Sequence, residues 1–301
     1  MKLDLNKIRE FGNIELLARQ LVEGFITGLH KSPYHGFSVE FAEHRPYNTG
    51  ESTKHIDWKV FARTDRIFTK RFEEETNLRC SILIDNSASM HYPKDNLGKI
   101  TFSIMAAATL AYLLQRQRDA VGYCIFSDRL EEQTPVKSTG AHLHKLFLGL
   151  QQTLSTMNSG ERTAIADVLH QIANQIHKRS LVIIFSDMLD NAESVQEILN
   201  ALHHLKHNQH EILLFHVMDI DTEIEFDFEE RPYEFIDLET KERIRLQPSQ
   251  VKEKYHKKVV EYLQDLKMRC GQFKIDFVEA DIRDDFDRVL AAYLIKRAKM
   301  R

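Results

Sequence analysis

Short apolar runs alternate with longer stretches of helical periodicity along most of the chain. Five runs rich in Val, Ile, Leu and Phe have the length of buried strands, and they cover residues 79–85, 120–126, 180–187, 211–219 and 273–280. Apolar residues recur at helical spacing in the segments 98–118, 140–154, 163–178, 191–206, 250–270 and 284–299. Strands that are apolar throughout and alternate with helices are typical of parallel sheets covered on both faces. The pattern therefore predicts an α/β fold with a doubly wound, mainly parallel sheet flanked by helices.

Two segments depart from this alternation. Residues 1–78 contain an amphipathic helix, IELLARQLVEGFITGLH, followed by polar turns and the strand-like RIFTKRFEEE. In residues 222–246 apolar and polar positions alternate with period two, interrupted by ERPY and ETKE, which predicts a small inserted β-meander. We therefore expect an N-terminal α+β extension over 1–78 and one main domain over 79–301, with the β insertion at about 222–246.

The most informative polar residues lie where two of these strands end. Asp85 closes the first predicted strand, and Ser87 and Ser89 follow it in a D-x-S-x-S motif. Asp187 closes the third predicted strand, and Thr163 opens a helix after a glycine turn, as either its N-cap or a ligand. Ligand sites of doubly wound sheets form beyond the carboxyl ends of the strands, so loops from these positions can meet over one point.

Carboxylates and neutral hydroxyls form an all-oxygen set at this predicted edge. Mg²⁺ and Mn²⁺ prefer oxygen ligands, whereas zinc prefers sulfur and nitrogen. Two carboxylates close together also repel each other, and a bound cation relieves that repulsion. We therefore expect a Mg²⁺ (or Mn²⁺) site, against the plainer interpretation of a polar strand-to-helix connection in which Asp and Ser are turn and cap residues.

A metal-dependent phosphoester hydrolase using the same crevice is the alternative function. Asp85 as a phosphoryl acceptor lacks the second aspartate of a D-x-D motif, because Ser87 stands in that place. Ser87 as a hydrolase nucleophile lacks the glycines of a G-x-S-x-G elbow, since Asn86 and Ala88 flank it. The chain also has no G-x-x-x-x-G-K-[ST] phosphate-binding loop. These exclusions favour a non-enzymatic protein, and no catalytic residue is assigned.

The D-x-S-x-S motif, with Thr163 and then Asp187 at a later strand end, resembles the metal-ion-dependent adhesion site of von Willebrand factor A domains. The resemblance implies that Ser87, Ser89 and Thr163 contact the metal ion. It also implies that Asp85 and Asp187 act directly or through water. One departure is the sequence GERT, which ends at Thr163, where that family often has G-x-T. In these domains an Asp or Glu of a partner protein completes the metal coordination, so the expected role of the site is docking.

The region before this motif is similar to the signature of domain-of-unknown-function family 58. It contains an R-x-Y-x-x-G-[DE] turn in RPYNTGE, then IDWK and AR, and a strand with acidic residues that leads into the motif. Glu51 stands in the turn where Asp is usual, and the resemblance covers roughly 30–300. It implies an adaptor that works with a MoxR-type AAA+ ATPase encoded alongside it, in protein maturation or complex assembly. Many members carry transmembrane helices ahead of this region, and we expect none here.

Composition limits the remaining classes of function. The net charge of -4 supplies no overall basic field to recruit nucleic acid. No apolar stretch approaches the ~20 residues that span a bilayer, and the N-terminal residues lack the apolar core of a signal peptide. The three cysteines, Cys80, Cys124 and Cys270, are far apart, which favours reduced core thiols over a disulfide framework. We expect a cytoplasmic protein, held at most peripherally at the inner face of the membrane through its partners.

Three further motifs have plain interpretations. Trp58 in HIDWK is interpreted as a buried core anchor, and Asp57 as a partner of backbone or of a nearby arginine. His203 and His207 have the i, i+4 spacing of a metal pair, but a solvated helix end explains them as well. The basic run RTDRIFTKRF is interpreted as a solvated or partner-facing strand and not as an RNA-binding surface.

Overall fold

The computed structural model describes residues 13–30, 43–46, 58–71, 78–93, 98–155, 165–188, 194–238 and 241–300. Its helices are α1 (Ile14–His30), α2 (Trp58–Thr64), α3 (Gly98–Arg116), α4 (Gly140–Ser155), α5 (Ile165–Gln175), α6 (Ser194–His207), α7 (Pro248–Gln272) and α8 (Asp287–Lys299). Its strands are β1 (Glu43–Pro46), β2 (Phe68–Arg71), β3 (Arg79–Asp85), β4 (Ala120–Phe126), β5 (Leu130–Gln133), β6 (Leu181–Ser186), β7 (Glu211–Met218), β8 (Tyr233–Ile236), β9 (Arg243–Leu246) and β10 (Asp276–Asp281). A 3₁₀ helix, Ala88–His91, follows β3, and a π-helix, Ile220–Ile224, follows β7.

The chain divides into two compact units. The smaller one comprises Thr27–Asn77, whose described part contains α2 and the antiparallel pair β1–β2. The larger one comprises Met1–Ile26 and Leu78–Arg301, and it contains the central sheet. Most of α1 therefore belongs with the α/β unit, where the Glu15 carboxylate accepts a hydrogen bond of 3.0 Å from Nδ1 of His144.

Six strands form the central sheet in the order β10-β7-β6-β3-β4-β5. Neighbouring strands run parallel except at one edge, where β5 pairs antiparallel with β4. The chain winds outward from β3 to β5 in one direction and then from β6 to β10 in the other. This is the order of a doubly wound sheet, in which the connection reverses between the two central strands. The predicted α/β fold class is confirmed, and each of the five predicted strands is present.

Helices cover both faces of the sheet, as the apolar strands require. On one face α5, α6 and α7 pack in a common core against alternate side chains of β3, β6 and β7. On the other face α3 is buried on nearly all sides, which explains why its sequence is apolar all round. Helix α8 lies against α3, since Phe286 stacks on Phe102 with ring centroids 4.9 Å apart and Tyr293 donates a hydrogen bond to Gln117.

The inserted segment differs from the predicted meander. Strands β8 and β9 form an antiparallel hairpin, but residues 222–232 form no strand and begin within the π-helix. Phe226 has a left-handed φ of 48°, which ends any extended run there. Its ring packs on Tyr255 of α7 with centroids 4.5 Å apart and on Phe235 of the hairpin. The period-two alternation therefore reflects an aromatic cluster, which the sequence pattern could not separate from a strand.

We predict that replacing Phe185 by Ala destabilises the larger unit by about 3–5 kcal/mol, because the cavity lies in the fully buried centre of the sheet. Phe185 and Phe215 are cross-strand neighbours whose rings stack with centroids 4.8 Å apart, and both are 0% exposed. Denaturant unfolding followed by circular dichroism measures the loss. Leu148→Ala is the control, since Leu148 is 56% exposed, and it should change the unfolding free energy by less than ~0.5 kcal/mol. Equal losses for the two variants would contradict the described packing.

Candidate metal centre

The two predicted aspartates meet at one edge of the sheet. Asp85 is the last residue of β3, and Asp187 directly follows β6, its parallel neighbour. In-register pairing carries up to Ile84 and Phe185, so the two strands end side by side. Both carboxylates are buried, at 0% and 1% exposure. The sheet thus places two acidic side chains together beyond the carboxyl ends of its central strands, where ligand sites of this architecture form.

Hydrogen bonds hold the Asp85 carboxylate in a single orientation. Its Oδ1 accepts a hydrogen bond of 2.9 Å from the backbone N–H of Ser87, in an Asx-type turn. Its Oδ2 accepts one of 2.6 Å from the hydroxyl of Ser186, the last residue of β6. The first bond shapes the loop after β3, and the second ties that loop to the neighbouring strand. Asp85 therefore positions the residues around it as well as contributing charge.

The two serines of the motif lie side by side. The Oγ atoms of Ser87 and Ser89 are 3.1 Å apart, and the 3₁₀ helix Ala88–His91 fixes the turn that brings them together. Ser87 is buried and Ser89 is half-buried. Octahedral Mg²⁺ holds ligands at 2.0–2.1 Å, which places adjacent ligand oxygens about 2.9 Å apart. The spacing of the hydroxyls therefore fits two neighbouring positions of a Mg²⁺ or Mn²⁺ coordination shell.

The carboxylates carry an electrostatic cost that a cation would lower. Burial raises the pKa of Asp85 to about 7, and the nearby charge of Asp187 adds to this rise. The hydrogen bonds from Ser186 and Ser87 oppose it but do not cancel it. Two buried carboxylates whose repulsion shifts a pKa are typical of cation sites and of acid–base sites.

A buried lysine that the sequence reasoning missed completes the charge balance. The ammonium of Lys99, in the first turn of α3, forms an ion pair of 2.8 Å with Asp187 and a second with Glu223. Burial lowers the pKa of Lys99, but the two carboxylates raise it by more, so the pKa lies above the ordinary lysine value. The available signal was a lysine opening a helix that is apolar on every side, because such a side chain is buried and needs an anion.

Glu223 links this crevice to the insertion. It lies in the π-helix after β7, and its carboxylate also accepts a hydrogen bond of 2.8 Å from the backbone N–H of Asp219. Its carbonyl oxygen accepts a hydrogen bond from Tyr255 of α7. Burial raises the pKa of Glu223, and Lys99 opposes this rise. The insertion is thus anchored to the metal-centre candidate through a side chain with no counterpart in the D-x-S-x-S pattern.

Four of the five predicted ligands are described, and they fall in this crevice. Thr163, the fifth, lies outside the described residues. Within the described ranges, no three side chains of His, Cys, Asp or Glu come together in a way that could hold a metal ion. A metal ion at this site would therefore need the serine hydroxyls as ligands, as the D-x-S-x-S motif implies.

The other motifs singled out in the sequence have separate outcomes. The interpretation of Trp58 as a core anchor is wrong, since Trp58 is 61% exposed in α2, while Asp57 lies outside the described residues. His203 packs against Phe273, and His207 is exposed at the end of α6, as expected of a solvated helix end.

The thiols are free and buried, as predicted for core cysteines. Burial raises the pKa of both Cys124 and Cys270 to about 12, and it raises the pKa of Cys80 further. Because a thiol reacts as its thiolate, none of the three is poised for redox or nucleophilic chemistry.

The strand order and the helices on both faces define an α/β protein with a doubly wound, mainly parallel sheet. The chain belongs to the family described as "Protein of unknown function DUF58", whose model matches residues 43–264 of the 301. An uncharacterized protein of Mycobacterium tuberculosis is 24% identical over 209 residues, which make up 68% of this chain and 63% of that protein. The chain thus spans less than two thirds of the length of the curated relatives it matches.

Solved structures with a similar course of the chain have low sequence identity. BatB from Bacteroides thetaiotaomicron is 12% identical with a TM-score of 0.45, and the match covers 74% of this chain and 100% of that one. The SpRpn10 VWA domain is 11% identical with a TM-score of 0.39, and the match covers 71% and 94%. The fold class rests on the order and direction of the strands described above, not on these scores. Within the described residues, no helix has the length and apolar character needed to cross a membrane.

We predict that Asp85 makes the metal-free protein less stable as the pH rises from about 4 to about 7. The folded state keeps a proton on Asp85 in this range because its pKa is raised to about 7, whereas the unfolded chain loses it near the ordinary aspartate pKa of 3.8. The difference in unfolding free energy between wild type and Asp85→Asn should therefore change with pH, by at most about 1.4 kcal/mol per pH unit.

Chemical denaturation in EDTA at several pH values measures this difference. Taking the difference between the two proteins cancels what the histidines contribute to the pH dependence of stability. These include His216, whose pKa burial lowers to about 4. A difference that is flat across the range would show that Asp85 is ionised in the folded state throughout.

Proposed function

We propose that this protein is a non-enzymatic, metal-dependent protein-interaction module. The observation that carries the proposal is the pair of serine hydroxyls 3.1 Å apart beside two buried carboxylates at the strand ends. In this assignment Ser87 and Ser89 bind the ion, and Asp85 and Asp187 bind it directly or through water. Thr163 supplies a third hydroxyl by resemblance to the von Willebrand factor A pattern.

The chemistry of the ligand set favours docking. Neutral hydroxyls leave a bound Mg²⁺ (or Mn²⁺) electrophilic, so that it accepts one further anionic oxygen. Asp85 keeps the serine loop in shape through its bonds to the Ser87 N–H and the Ser186 hydroxyl. Ser89 is half-buried whereas Ser87 is buried, so a carboxylate from another protein is expected to approach the ion from the side of Ser89. The docking group is an Asp or Glu of the partner, and the neighbouring loops recognise its surroundings.

The partner we propose is a MoxR-type AAA+ ATPase, on the basis of family resemblance. Such a pair would act in the maturation or assembly of other proteins, in the cytoplasm or at the inner face of the membrane. The matched relatives are longer than the aligned region, so the activity of the whole protein is also part of what we propose and not of what the comparison shows.

A metal-dependent phosphoester hydrolase is the second candidate, and one observation favours it. A buried carboxyl group with a pKa of about 7, as at Asp85, is suited to proton transfer at neutral pH. Against this, both oxygens of Asp85 are engaged by protein donors, and the side chain is 0% exposed. Asp85 is thus better placed to hold the loop than to reach a substrate.

We predict that Ser87→Ala abolishes Mg²⁺-dependent co-purification with a MoxR-type ATPase from the same genome, because it removes a ligand without adding charge. The measurement is a pull-down of the co-expressed ATPase in Mg²⁺ and in EDTA. Ser180→Ala is the matched control: Ser180 is a buried serine beside the opposite end of β6, and its replacement should leave capture intact. Capture by wild type that is equal in Mg²⁺ and EDTA would contradict a metal-dependent interface.

The same preparations distinguish the second candidate. Wild-type protein with Mg²⁺ or Mn²⁺ should not hydrolyse a panel of phosphomonoesters and phosphodiesters above the background seen with Asp85→Ala. Turnover that is lost in Asp85→Ala would replace the docking proposal with the hydrolase.

A further inference from the structure

Lys99 places a permanent positive charge inside the candidate metal centre. Its side chain is 0% exposed, and its ammonium lies 2.8 Å from Asp187, one of the proposed ligands, while also pairing with Glu223. A buried ammonium is held only by anionic partners, since it has lost its hydration. The serine pattern does not require such a lysine, so its presence calls for a role.

We propose that Lys99 is a built-in counter-cation, which competes with a divalent ion for Asp187 and is drawn away from it by Glu223. This inference rests on the proposed function, because it concerns the regulation of the same metal centre. In the metal-free protein Lys99 compensates the charge of Asp187. When a divalent ion binds, repulsion between the two cations shifts the ammonium toward Glu223.

The two partners of Lys99 differ in a way that supports this direction of movement. Asp187 directly follows a central strand and is 1% exposed, so its position is fixed by the sheet. Glu223 lies on a single turn of π-helix, and its side chain is 16% exposed, so it can follow the ammonium with little loss of packing. Lysine suits the role, since its ammonium donates three hydrogen bonds from a flexible stem and can be shared between acceptors.

The arrangement couples metal affinity to the insertion. Glu223 is held by the N–H of Asp219 and, through its own carbonyl oxygen, by Tyr255 of α7. Movement of this segment away from Lys99 would return the full ammonium charge to Asp187 and weaken metal binding. Contacts that keep Glu223 in place would strengthen it.

Three variants test the proposal by Mn²⁺ binding, measured as free Mn²⁺ by electron paramagnetic resonance. Lys99→Met removes the competitor and should tighten binding by about tenfold or more. Glu223→Gln leaves Asp187 as the only carboxylate paired with Lys99 among the described contacts. The ammonium then competes more strongly for Asp187, and Mn²⁺ binding should weaken by a similar factor. The third variant combines Lys99→Met with Glu223→Gln, and its affinity should be close to that of Lys99→Met alone. Glu223 acts through Lys99 in this proposal, so its replacement has little effect once Lys99 is gone, and the double-mutant cycle measures this coupling.

Lys296→Met is the matched control. Lys296 is also a buried lysine that bridges two carboxylates, Glu211 and Asp276, but these lie at the amino ends of β7 and β10. Its replacement should leave Mn²⁺ affinity unchanged. If Lys99→Met does not fold, which circular dichroism detects, the double variant is compared with Glu223→Gln. It should bind Mn²⁺ more tightly, since the competing ammonium is gone, and equal or weaker binding would overturn the proposal.

Each outcome has a separate meaning. Equal affinities in wild type and Lys99→Met, or weaker binding in Lys99→Met, would overturn the counter-cation while leaving the metal centre in place. The same loss from Glu223→Gln with and without Lys99 would also overturn it, because Glu223 would then act on the ion directly. If no folded variant binds Mn²⁺, the proposed metal-dependent function itself fails. Binding by Lys99→Met alone would support the inference in its strongest form.

Discussion

The parallel pairing of β3 with β6 is the constraint on which the rest of this site depends. It joins two strands that are about a hundred residues apart and makes them end together, so that Asp85 and Asp187 share one buried crevice. Two carboxylates in that position destabilise the fold unless positive charge or hydrogen-bond donors face them. Much of the surrounding structure can be understood as the response to this requirement.

The response comes from three separate parts of the chain. Backbone and hydroxyl donors next to the strand ends bind Asp85, and the first turn of α3 supplies Lys99 to Asp187. Glu223, from the insertion after β7, gives the same ammonium a second carboxylate partner. Because these groups are drawn from the strand ends, a helix and an inserted segment, the site is sensitive to the placement of all three.

This charge balance also connects the two functional proposals. In these proposals, a site compensated by its own lysine folds without a metal ion, and a divalent cation can take the place of the ammonium at Asp187. The aromatic cluster around Phe226 and Tyr255 holds the inserted segment against α7, and hence sets the position of Glu223. The counter-cation proposal therefore implies that packing far from the serines influences the affinity of the centre for a cation.

Local sequence pattern determined the five apolar strands, the helices that alternate with them, the doubly wound class and the serine motif, because hydrophobic period and turn chemistry act over a few residues. It did not reveal the edge strand β5 or helix α2. It did not separate the aromatic alternation near Phe226 from a strand, and it interpreted Trp58 as buried although the side chain is exposed. The partnership of Lys99 with Asp187 and Glu223 was decided only by the tertiary structure. These groups are 88 and 124 residues from Lys99 along the chain, and only the order of the strands and the path of the insertion bring their charges together.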